Sequence, residues 1–184
     1  LSFLAYASDL VLQAKTGRKK GHEIWLHVPM EPGSLHIDPG PNVLLSGLPP
    51  KKLLSILSWN LDQLKNYVGI NNHMGSRFTA EADSMQILMD ELKRRGLAFL
   101  DSITSPKSSG TKIAREIGVP VTKRNIFLDH DNDLSAINRQ LSMVEVLAKR
   151  QGHAIAIGHP RETSLKALEL WLNTLNTKGF QLVP

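Results

Sequence analysis

Short apolar runs alternate with helical-period segments from one end of this chain to the other, and that alternation restricts its fold more than any single residue does. Helices are expected over about 8–20, 51–67, 80–95, a short stretch holding Ile113 and Ile117, a long stretch after Asp133, and about 164–178. The clearest of them repeats Leu53, Leu57, Leu61, Leu64 and Val68 on one face behind Pro49-Pro50. Asp133 reads as an N-cap, and Gly96, Gly118, Gly152 and Gly179 as helix ends. Between the helices, residues 3–5, 22–26, 68–70, 97–100, 119–121, 126–128, 154–157 and 180–183 read as short strands. Such alternation calls for parallel strands with right-handed crossovers, hence an α/β fold of about seven or eight strands. An open doubly wound sheet and a closed barrel both satisfy it. No Gly-x-Gly-x-x-Gly follows any strand and no Gly-Lys-Ser/Thr occurs, so the nucleotide-binding fingerprints are missing. The expectation leans to a distorted (β/α) barrel, one domain over residues 1–184.

The formal charge is +5, with Lys and Arg spread along the chain and one short cluster at Arg18-Lys19-Lys20. This reads as solvated helix faces and disfavours a nucleic-acid partner. Two Tyr, three Trp and five Phe give few platforms for stacking bases. Trp25, Trp59 and Trp171 all fall in strand or helix patterns, where core packing is the natural role. The absence of Cys excludes thiol nucleophiles, zinc–thiolate sites and disulfides. No apolar run reaches membrane-spanning length, and no signal peptide is seen. Leu1 opens in what reads as mid-strand, so both ends are expected to be cut points.

Function in parallel α/β folds gathers at the carboxyl ends of the strands. Here those ends carry His27 with Glu31 close behind, His73, Asp101, Asp129 and His159. Any one of these histidines alone reads as structural; five successive strand ends of this chemistry do not. The Pro/Gly-rich stretch 28–41 cannot be regular throughout, and a long structured loop inside a compact domain is usually functional. Asn71-Asn72-His73-Met74-Gly75-Ser76-Arg77-Phe78-Thr79 is expected to form a polar loop between strand and helix, with Thr79 as N-cap. Two imidazoles and a carboxylate suit Zn²⁺ or a similar divalent ion, and a separate His can protonate a leaving amine. The chemistry read from the residues is metal-assisted hydrolysis of an acyl or amide bond.

The segments Trp25-Leu26-His27-Val28-Pro29-Met30-Glu31-Pro32, Gly69 to Thr79, Phe99-Leu100-Asp101-Ser102 and Ala156-Ile157-Gly158-His159-Pro160, in that order, resemble the divergent polysaccharide deacetylase family. The resemblance implies a fold related to chitin and peptidoglycan deacetylases, which remove N-acetyl groups from amino-sugar polymers with a metal ion. It implies His27, Glu31 and His73 as metal ligands, His159 as general acid, Asp101 as an orienting acid, and Asn72 and Arg77 on the substrate. It also implies Zn as the ion, a glycan partner and a place in the bacterial periplasm or envelope. The alternative is a carbohydrate-binding or envelope-interaction protein that keeps the fold without turnover. Two departures stand out. Glu31 falls where the wider clan has a second His, and the paired Asp that end the family's first strand do not occur in this sequence: either they precede Leu1 and the site is whole, or they are missing and it is incomplete and inactive.

Overall fold

The structure, a computed structural model, describes residues 1–34 and 36–183. Two compact units are distinguished, one spanning Leu1–Lys123 and a second beginning at Arg124. Within the first, strands β1 (Ser2–Leu4), β2 (Trp25–Met30), β3 (Gly69–Met74), β4 (Ala98–Asp101) and β5 (Val121–Lys123) form a parallel sheet in sequential order. Helices α1 (Leu10–Lys19), α2 (Pro50–Leu61), α3 (Ala82–Arg95) and α4 (Gly110–Ile117) connect them. The second unit holds β6 (Ile126–Phe127), α5 (Leu134–Gln151), β7 (Ala156–Ile157) and α6 (Glu162–Leu172), with β6 and β7 paired in parallel. The parallel α/β fold expected from the alternation is the one found.

Strand alternation sorts the first sheet's side chains. Phe3, Leu26, Val28, Met30, Ile70 and Phe99 share one face through the register Phe3↔Leu26↔Ile70↔Phe99. They belong to the same buried core as Leu53 and Leu57 of α2 and Met85, Leu88 and Leu92 of α3. The other face carries His27, Asn71 and His73, aligned by the pairs His27↔Asn71 and Pro29↔His73. In the second unit Ile126, Leu128, Ile137, Leu141, Val144 and Ala167 make a separate core.

Three expectations change. The second strand runs on to Met30 through Pro29, which is tolerated because that residue's polar edge turns from β3: its carbonyl accepts the Leu44 N–H at 2.9 Å. The helix expected over 51–67 stops at Leu61, and Asn66 turns at φ +58°. Leu64 keeps its apolar spacing but buries itself from a loop. Residues 180–183 form no strand; the chain instead leaves α6 through a 3-10 turn (Asn176–Lys178) closed by Gly179 at φ +76°. Asp133 caps α5 as expected, its side chain accepting the Ala136 N–H at 2.9 Å.

Candidate functional site

Asn71, Asn72 and His73 lie inside β3, not in a loop after it. Polar residues hold this strand because their side chains find partners there. Asn71 Oδ1 accepts from Ser2 Oγ at 2.5 Å, and Asn71 Nδ2 donates to Ser102 Oγ at 3.3 Å. Asn72 Oδ1 accepts the Ser102 N–H at 2.8 Å, while its Nδ2 reaches Met74 O at 2.7 Å and Thr104 Oγ1 at 3.3 Å. Ser102 Oγ returns a bond to Asn72 O at 2.9 Å. Asn72 is thus buried and engaged on both ends of its amide, a scaffold position beside His73. The tight turn begins only at Met74 and Gly75, with φ +54° and +88°. Thr79 does not cap α3: it is buried in a 3-10 turn (Phe78–Ala80) and its hydroxyl donates to Gly75 O at 2.8 Å.

The register brings two predicted residues together. His27 Nε2 and His73 Nδ1 face one another at 3.1 Å, with the rings edge-on and their centroids 4.9 Å apart. The separation is that of a hydrogen bond between the rings, and as ligands on one tetrahedral Zn²⁺ at about 2.05 Å the same two nitrogens would lie about 3.3 Å apart. That use requires His27 to carry its proton on Nδ1 and His73 on Nε2.

Glu31 follows β2 and is placed differently. Its Oε1 meets Arg77 Nη1 at 3.2 Å, and its Oε2 accepts the Ser46 N–H at 2.8 Å together with the Ser46 hydroxyl. Its backbone is equally engaged: the N–H donates to Leu44 O at 2.9 Å, and the carbonyl accepts from the Arg77 and Phe78 N–H groups at 3.1 and 3.2 Å. Glu31 therefore ties Leu44 and Ser46 to the β3–α3 turn. Among the described residues no group of three or more His, Asp or Glu converges as a metal cluster.

Asp101, fully buried at the end of β4, accepts the Ile103 N–H at 2.9 Å and the Ser108 hydroxyl at 2.6 Å. It holds its own loop. Ile103 sits at φ +48°, an unusual conformation for a β-branched residue, and the carboxylate is what pins that backbone.

In the second unit the strand ends of β6 and β7 place Asp129 beside His159. Asp129 Oδ1 lies 3.0 Å from His159 Nδ1, and Oδ2 accepts the His159 N–H at 2.7 Å and the Ser164 hydroxyl at 2.8 Å. Arg161 donates to the Asp129 carbonyl at 2.8 Å. Burial alone would raise the Asp129 pKa, but the His159 and Ser164 hydrogen bonds outweigh it and hold the carboxyl below its ordinary value. The His159 ring also stands edge-on to Phe127 at 5.6 Å, and its side chain is 46% exposed. A neutral ring donating from Nδ1 to Asp129 leaves Nε2 as its free lone pair, the arrangement of an acid–base histidine. Asp129 as the partner of His159 was missed in the sequence, although both residues stand two positions past paired strands. Ser46 left no signal there.

The chain is 37% identical over 167 residues to an uncharacterized protein of Haemophilus influenzae, covering 90% of this chain and 59% of that protein. It is 36% identical over 157 residues to the uncharacterized protein YibQ of Escherichia coli, covering 85% of this chain and 49% of that one. It therefore spans about half to three-fifths of the length of these relatives. The crystal structure of the uncharacterized protein ATU2773 from Agrobacterium tumefaciens superposes with a TM-score of 0.96 at 33% identity, over 100% of this chain and 75% of that one. Residues 1–184 match the family described as divergent polysaccharide deacetylase, and the chain belongs to that family.

Proposed function

We propose that this chain is part of a metal-dependent hydrolase that removes N-acetyl or O-acetyl groups from an amino-sugar polymer. The facing imidazoles of His27 and His73 carry the reading, because two neighbouring strands deliver them at the separation of ligands on one ion. His27 and His73 would hold a divalent ion, Zn²⁺ by its preference for imidazole, which when bound would supply Lewis acidity for the acyl carbonyl and for water. Glu31 could join them only by leaving Ser46 and Arg77. His159, its Nδ1 held by Asp129, is suited to take a proton on Nε2 and to give that proton to a leaving amine. Arg77, half in solvent, is suited to the sugar; Asn72 supports β3 from within. Asp101 supports the reading as the residue that shapes the 102–109 loop. No helix among the described residues is long and apolar enough to cross a membrane, and the glycan substrate of the family fits a place in the periplasm or envelope.

The engagement of Glu31 favours a second reading, a glycan-binding protein that keeps the fold without turnover. Two measurements on the complete protein separate them. Zinc titration is expected to give tight binding that His73→Ala weakens at least about a hundredfold, since a first ligand counts for more than the 10–100-fold of its supports. Acetate release from acetylated chitooligosaccharides is expected in the zinc-loaded protein and to fall about a hundredfold or more in His159→Ala with the metal retained. Unchanged zinc affinity in His73→Ala refutes the ligand assignment, and zinc binding without acetate release selects the binding protein.

A further inference from the structure

Glu31 and Arg77 form a connected pair at the carboxyl edge of the first sheet, directly after β2 and three residues past β3. The carboxylate is the fixed member: its side chain is 14% exposed, and Ser46 holds it through both a backbone N–H and a hydroxyl. The guanidinium is the presented member, 56% exposed, its Nη1 3.2 Å from Glu31 Oε1 in an ion pair. A guanidinium has five donors in a rigid fork, so several N–H groups remain directed to solvent. The Arg77 and Phe78 N–H groups on the Glu31 carbonyl, at 3.1 and 3.2 Å, fix the root of the arginine, and the ion pair draws its tip toward the carboxylate. A long side chain that would otherwise sample many rotamers is thereby pre-organised.

We propose that Glu31 is a positioning residue that holds Arg77 as a hydrogen-bonding fork for uncharged sugar oxygens, and that the carboxylate beneath it turns anionic saccharides away. This rests on the glycan-directed reading given above and adds the class of sugar. A free arginine would favour a phosphate or carboxylate through charge-assisted bonds. Here the positive charge is offset, and any ligand anion brought to Arg77 also approaches Glu31. Hydroxyl and acetamido oxygens accept from the fork without that repulsion. Discrimination by an unfavourable like-charge approach is a general route to specificity.

The test uses the complete protein and two oligosaccharides of equal length, neutral N-acetylchitotetraose and a tetrasaccharide in which alternate sugars bear carboxylates, in titration calorimetry at low salt. The neutral ligand is expected to bind about tenfold more tightly to the wild type. Glu31→Gln is expected to narrow that preference to about threefold or less by strengthening anionic binding, and Arg77→Gln to weaken both ligands. Zinc affinity is expected to stay within about threefold in both variants. A wild type that prefers the anionic ligand, or binds neither, overturns the proposal. So does an unchanged preference in Glu31→Gln, or a collapse of zinc affinity there, which would make Glu31 a ligand. If Glu31→Gln does not fold, the solvent-facing Arg77→Gln decides alone: unaltered affinity for both sugars refutes the fork. Acetate release in the same samples keeps the two readings apart, because the charge preference can hold in a protein that never turns over.

Discussion

Replacing Asp129 by Asn changes one atom at the most heavily bonded carboxylate of the second unit. The native group accepts three bonds, from the His159 N–H, the Ser164 hydroxyl and His159 Nδ1. Asn offers one carbonyl oxygen and two donors. If the oxygen keeps the backbone N–H and Ser164, the new NH₂ meets Nδ1, and the ring must move its proton to Nε2. Bonds to a carboxylate contribute about 1.5–3 kcal/mol each and neutral ones about 1 kcal/mol, so the exchange should cost about 2 kcal/mol at pH 7. With a urea slope of about 2 kcal/mol per M, the midpoint should fall by about 1 M. The pH dependence has a definite sign. The folded-state carboxyl titrates below its ordinary 3.8, so its contribution is complete above that value and drains away as pH falls through the lower folded-state value. The stability gap between wild type and Asp129→Asn should therefore be present at pH 7 and close in strong acid as the carboxyl protonates. Urea melts followed by circular dichroism from pH 7 to about pH 2 measure it. A variant as stable as wild type at pH 7, or a gap undiminished at the acid end, refutes the account.

Glu91 of α3 provides a second acid-sensitive anchor. Hydrogen bonds from Arg94, with further ones from Arg95, pull its pKa from 4.5 down to about 2 against its partial burial. At about 1.36 kcal/mol per pH unit this is at most about 3 kcal/mol, and about 2 kcal/mol once screening of the 67%-exposed Arg94 is allowed for. Glu91→Gln should lose that stability above pH 4.5 and little of it near pH 2, in the same urea series. Gly69→Ala should cost at least about 2–3 kcal/mol in thermal or urea melts, because a Cβ there would stand 2.5 Å from the Ala98 carbonyl oxygen and 2.6 Å from the Trp25 ring. A neutral effect would mean that β3 and β4 separate more easily than their pairing implies.

The helices and the parallel class of the sheet were legible because each buried face obeys a period, 3.6 in Leu53-Leu57-Leu61 and 2 in Leu26-Val28-Met30. Strand limits were not, wherever side-chain partners replaced apolar burial. Asn71 to His73 read as a loop because amides and an imidazole carry no strand signal, yet Ser2 and Ser102 satisfy the amides and His27 meets the imidazole inside the ladder. Pro29 concealed the end of β2 for the converse reason, a residue that breaks ladders standing where no ladder bond is needed. The residue types of the site were visible as strand ends. Their pairing was not, since Glu31 with Ser46 and Asp129 with His159 are contacts across 15 and 30 residues that no local pattern encodes.

The bond from Ser2 across to Asn71 acts as an alignment key. A slip of β3 by two residues would leave every apolar side chain on its proper face, so hydrophobic burial alone tolerates the error. A slip that moved His73 further toward the carboxyl end of β2 would also add about 6.6 Å to its offset from His27, too far for both to grip one small ion. The hydroxyl and amides running from β1 to β4 make that mispairing costly, because each step strands a polar group in the interior. What looks like polar decoration on an apolar sheet is thus the means by which a folding chain selects the frame in which two distant histidines meet.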